Sequence, residues 1–231
     1  MGSRSDALFA FEKWLTTSHW LLDRLEFQRD FEDLFQQWTG RKFDDCLVNL
    51  SDGATRSVEA CMIEFYFSER SAHDLLREFT AESNQDLSYP QQMYLLALGH
   101  SNASIYEVVD SSPGTGILLQ DLIRGGVPTR IPNGSASNVL VEGDRLLARV
   151  VKSKMGIQIS DGTLVIPKQL WPHLSAKIDN QLTDRGPKAP ALQAFREEIA
   201  EEMTWYTLSC WVHAYSGPGA PPPKLVGIDY D

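Results

Sequence analysis

Four carboxylates, Glu107, Asp110, Asp121 and Asp144, stand around the turns of one strand-rich stretch. Acidic groups gathered in this way are what a magnesium-dependent hydrolase uses to hold its metal. Asp110 and Asp144 occupy positions where Asp is favoured as a turn former. Glu107 and Asp121 are not explained by turns, so the hydrolase reading rests on those two. They are candidates only: no residue is assigned as catalytic, and no metal or cofactor is expected.

The segment between them carries a second chemical motif. Pro113-Gly114-Thr115-Gly116 follows the apolar run Ile105–Val109, where a phosphate-cradling loop would sit. A dinucleotide fingerprint needs a third glycine and a helix start to receive the phosphate. Here Leu118-Leu119 continues as strand, so the glycines read as a hairpin turn. Cys210 and His213 have the spacing of half a zinc site, but Cys46 and Cys61 lie far upstream and supply no matching pair. Three scattered cysteines do not form a disulfide framework and fit a reducing cytoplasm. His19, His73, His100 and His173 stand isolated in the sequence.

For nucleic acid the best residues are Arg145, Arg149, Lys152 and Lys154, on one predicted hairpin. Small barrels hold single strands with a basic groove and stacked aromatics. Only Tyr106 is aromatic among the predicted strands. Lys and Arg number 21 against 31 Asp and Glu, a net charge of −10, which repels phosphate backbones. Nucleic acid is therefore permitted but not favoured. No apolar run approaches the roughly 18 residues of a membrane span, and no membrane partner is expected.

The elements that must position these residues fall into two halves. From Asp6 to Thr39, apolar residues recur at three- and four-residue steps, with a slip near Thr16-Thr17-Ser18 that predicts two helices ended by Gly40. Ser51-Asp52-Gly53 reads as a turn. Met62–Phe67 is ambiguous between helix and strand. Helices are predicted for 71–82 and from Ser88, with Pro90 in the first turn. After Gly99 the pattern changes to strands at 104–110, 116–123, 127–131, 145–152, 155–160 and 163–166. Asp161-Gly162 reads as a two-residue hairpin turn between the last two. Short strands with tight turns predict a small SH3-like or OB-like barrel. The expected organisation is a helical subdomain over 1–100, a barrel with a trailing helix over 101–180, a linker over 181–190, a helix over 191–215, and a proline-rich tail over 216–231 that is extended or mobile. The fold class is α+β.

The phrases "IYEVVDSSPGTGILLQDLIRGG", "LVEGDRLLARVV" and "PPPKLVGIDYD" resemble a diffuse bacterial family of uncharacterised proteins, many of which carry a SEC-C zinc motif. The likeness covers roughly 58–178, with an echo at 221–231. The zinc motif itself is absent here, and the family supplies no established catalytic residues to carry over. In such chains the proline-rich phrase leads into further sequence, so this chain is expected to be part of a longer protein. The expected function is a non-enzymatic protein-interaction or assembly module of a larger bacterial, cytoplasmic system. Its partner would be another protein or a second copy of the chain. Trp14, Trp20, Phe27, Phe31 and Trp38 are its candidate interface residues, since such aromatics are enriched at interface anchors. A nucleic-acid-associated accessory role and, third, a metal-dependent hydrolase are the alternatives.

Overall fold

In the computed structural model, which describes residues 4–70, 72–82, 87–132, 134–184 and 192–226, two helices open the chain, α1 (Arg4–Leu15) and α2 (Leu21–Thr39). Phe27, Phe31 and Phe35 of α2 lie at four-residue steps and are all buried, the single apolar stripe expected of a helix packed on one side. The slip at residues 16–18 is the turn between these helices, where the Ser18 hydroxyl accepts the Trp20 N–H at 3.3 Å. Gly40 ends α2 in the left-handed region, φ 71°, where a glycine costs least.

A short α3 (Phe43–Leu47) leads to α4 (Asp52–Glu69). The expected turn at Ser51-Asp52-Gly53 instead opens this helix, with the Ser51 side chain accepting the Ala54 N–H. Ile63 to Phe67 are buried consecutively. A helix covered on every side shows no stripe, which is why periodicity leaves Met62–Phe67 undecided. α5 (Ala72–Glu82) follows, then α6 (Tyr89–Gly99). At the start of α6, Ser88 and Gln91 form a capping box beside Pro90.

The strands are β1 (Ala103–Ser112), β2 (Gly116–Asp121), β3 (Thr129–Ile131), β4 (Arg145–Ser153), β5 (Gly156–Ile159) and β6 (Leu164–Ile166), with a short α7 (Gly134–Val139) before β4. They are ordered β3-β2-β1-β4-β5, and β6 also pairs with β4. β4 divides its edge: Arg145–Leu147 pair with β6, and Val150–Ser153 with β5. β3 comes against β5, so the antiparallel sheet curls into a nearly closed barrel. Its interior holds Tyr106, Val108, Ile117, Leu119, Leu146 and Ala148 among others. Gly116 is required where β3 crosses, because a Cβ there would strike the Ile131 carbonyl.

One turn differs from expectation. Among the described residues β5 and β6 pair with β4 and not with each other, so Asp161-Gly162 is not a two-residue hairpin. The hairpin is between β4 and β5, closed at Ser153↔Gly156. Gly162 has a packing role instead: a Cβ on it would lie 2.8 Å from the Cys61 Cα of α4.

α8 (Trp171–Asp184) and the long α9 (Leu192–Tyr215) complete the chain of helices. Outward-facing Ile105 of β1 packs with Leu174 and Ile178 of α8 and Ile199 and Met203 of α9. Trp211 of α9 is fully buried, and its indole donates to the Val165 carbonyl at 2.9 Å. Residues 181–184 of the expected linker are the end of α8, and residues 185–190 lie outside the described residues. The proline-rich segment is extended and is tied down: Leu225 bridges Leu164, Val226 is buried in the barrel cluster, and Lys224 Nζ meets Asp144 Oδ2 at 2.5 Å. Residues 227–231 of the tail lie outside the described residues. The fold is α+β, with a helical amino-terminal part, a small barrel and a carboxy-terminal helix.

Candidate functional site

Glu197, Glu201, Thr204 and Trp205 are spaced four, three and one residues apart on α9, which puts them on one helical face. That face looks across to the last turn of α4, with Phe65, Ser68 and Glu69, and to Asn102 just before β1. Together these residues, with Arg124 and Arg149, line a cleft of about 350 Å³. Trp205 is its aromatic wall. The indole packs on Phe65, Phe27 and Phe31 at ring separations of 5.0, 5.1 and 5.2 Å, and its N–H donates to Glu69 Oε1 at 3.1 Å. Partial burial, and next the neighbouring Glu201 charge, push the Glu69 carboxyl above its ordinary range.

A second cleft of about 360 Å³ opens at the mouth of the barrel and shares Asn102, Arg124 and Glu197 with the first. Tyr106, Leu119, Asp121, Val150 and Lys152 also line it. Burial, and next the Asp121 charge, hold the Tyr106 phenol above its usual value. Arg124 joins the two clefts. It donates through Nε to Glu197 Oε2 at 2.5 Å and through Nη1 to the Ala103 carbonyl at 2.9 Å, tying the barrel rim to α9.

Beneath the first cleft, Arg149 and Glu64 are 2% and 1% exposed, with Nε and Oε2 3.8 Å apart. Arg149 also donates to the Ser101 and Glu64 carbonyls and to the Ser68 hydroxyl. Glu64 Oε1 accepts the Gly162 N–H at 2.9 Å. Burial outweighs the attraction of Arg149 and pushes the Glu64 carboxyl up to about 7. The same burial lowers the Arg149 pKa and holds the Cys61 thiol well above its usual value. A lone Glu inside "MIEFYF" was the one sequence sign of this group, because an acid in an all-apolar run needs a buried partner.

The sequence candidates are dispersed. Asp121 faces Tyr106 across the β1–β2 pair while Glu107 faces Gln120, so the two carboxylates lie on opposite faces of the sheet and share no centre. Asp121 Oδ1 accepts the Ser104 hydroxyl and the N–H groups of Ile123 and Arg124, fixing the turn after β2. Glu107 pairs with Arg145 at 3.4 Å, and that guanidinium lies 4.3 Å from the Trp171 ring centre. The four basic residues form no single strip: Arg149 is buried, Arg145 is engaged, and Lys152 and Lys154 remain exposed. Trp14, Phe27 and Phe31 are buried in the core, and Trp20 and Trp38 are half-buried. The strong aromatic stripe was packing, and these five residues do not make an exposed patch. Gly114, φ 73°, sits in the hairpin turn before β2. Cys210 is half-buried and His213 exposed on α9. His19 is not isolated: it meets Glu78 and Glu82, the group with metal-ligating atoms brought together among the described residues.

No family model matches the chain, and no curated protein or solved structure shows significant similarity to it. Among the described residues no helix is long and apolar enough to cross a membrane.

Proposed function

We propose that the protein is a non-enzymatic interaction module that receives a cationic side chain of a partner protein in the cleft between α4, α9 and the barrel rim. The observation that supports this is the convergence of Glu69, Glu197 and Glu201 around the Trp205 indole. A guanidinium stacks on an indole face and donates in pairs to carboxylates. The basic groups already in the cleft do not compete for this role, since Arg149 is buried against Glu64 and Arg124 is committed to Glu197. Glu201, and the Glu69 oxygen that the Trp205 N–H does not engage, are left to face the ligand. The net charge of −10 favours the approach of a basic partner. The separation of Glu107 from Asp121, each held in its own contacts, removes the pair on which the metal-dependent hydrolase alternative rested.

Fluorescence anisotropy with labelled peptides tests the reading. Arginine-bearing peptides are expected to bind, with affinity falling as salt rises, and neutral or acidic peptides are not. Glu69→Lys with Glu201→Lys is expected to abolish binding while leaving the fold intact by circular dichroism. Failure of every arginine-bearing peptide at low salt, or binding that survives the charge reversal, would overturn it.

A further inference from the structure

We infer that His19, Glu78 and Glu82 form a site for a borderline divalent cation of the zinc type, bound at the surface where the α1–α2 turn meets α5. The inference is independent of the cleft. One ligand atom from each residue lies within 4.8 Å of the others, although His19 stands 59 residues before Glu78 in sequence (78 − 19 = 59). Glu78 and Glu82 are four apart on α5, so both carboxylates rise from one helical face.

Tetrahedral coordination at zinc–ligand distances near 2.0–2.1 Å sets ligand atoms about 3.3 Å apart. His19 Nε2 and Glu78 Oε2 are already separated by 3.4 Å. The third ligand needs only a side-chain adjustment, because His19 is 66% exposed and Glu82 is exposed. A second set of contacts orients the carboxylates from outside the trio. The Trp20 indole donates to Glu78 Oε2 at 2.8 Å, and the Trp14 indole donates to Glu82 Oε2 at 3.2 Å. Outer donors of this kind hold ligating carboxylates in place around metals. They also ease the repulsion of two acids on one face. An imidazole with two carboxylates suits zinc or a similar first-row ion better than calcium or magnesium, which prefer all-oxygen sets. Such an ion would brace the helical half by joining the α1–α2 turn to α5.

Isothermal titration of the metal-free chain with zinc, alongside thermal unfolding with and without the ion, decides the matter. The expected result is one zinc per chain and a raised midpoint of unfolding. His19→Ala and Glu82→Gln should each weaken binding by about tenfold or more and cancel the rise in midpoint. Both positions are exposed, and glutamine still offers the Trp14 indole an acceptor, so both variants should fold. Absence of zinc binding overturns the assignment. So does binding that persists unchanged in both variants, or a response to magnesium equal to that for zinc.

Discussion

Glu64 and Arg149 show how a single buried pair governs a fold. Each charge would be costly alone in this interior, and each is held by contacts from a different element. Removing one partner leaves the other unpaired, so Arg149→Ala should cost on the order of 3–5 kcal/mol, read from denaturant unfolding. The pair also imposes a pH dependence. The Glu64 carboxyl titrates near 7 in the folded chain against an ordinary value of 4.5. Between those values the folded state holds a proton that the unfolded state has lost. This group's contribution to stability is therefore full below 4.5, declines as the pH rises, and is lost through 7. Glu64→Gln should flatten the unfolding free energy between about pH 5 and 7.5 relative to the native chain. An unaltered slope in that variant would assign the dependence elsewhere.

At the level of elements, turns separate what a sequence states from what it hides. Glycine marks both Gly114 and Gly162, yet for different reasons. Gly114 has a positive φ, and a Cβ added there would have nothing within 4 Å, so alanine should cost only about 1 kcal/mol of backbone strain. Gly162 is pressed against the α4 backbone and the Glu64 carboxylate, so alanine should force the turn off the helix and cost about 1–3 kcal/mol. Thermal unfolding of the two variants checks the order, and a larger loss at Gly114 would refute it. The contrast explains which parts were legible. Strand positions, Gly40 and the Ser88 cap follow from local chemistry and could be read directly. The partner of Gly162 is 98 residues away in sequence, and no local pattern encodes it. The cleft was illegible for the same reason: Glu69, Arg124 and Trp205 meet only once α4, the β2 turn and α9 are packed. Glu197 and Glu201 line the cleft, although nothing in their own helix sets them apart from the adjacent Glu198 and Glu202.

Over the whole molecule, the barrel interior keeps its own cluster, and a second, larger core joins the helical part to the outer face of the strands. Phe67 and Leu95 from the helices share one cluster with Leu147, Val151 and Leu164 from the strands and with Trp211 from α9. The extended tail adds a second tie, since Val226 enters the barrel cluster while Leu225 bridges β6. A shared core makes the parts unfold together. Far-ultraviolet circular dichroism and tryptophan fluorescence should therefore trace one coincident transition in denaturant. Truncation after Lys224 removes Leu225 and the buried Val226, at a cost of about 1.5–3 kcal/mol for the lost valine burial. Lys224→Met removes only an ion pair whose lysine is one-third exposed, worth about 1 kcal/mol or less. Both changes should move the two spectroscopic transitions by equal amounts, the truncation further than the substitution. A barrel that melts ahead of the helices in the truncated chain would mean that the tail stabilises the barrel alone and that the common core does not couple the halves.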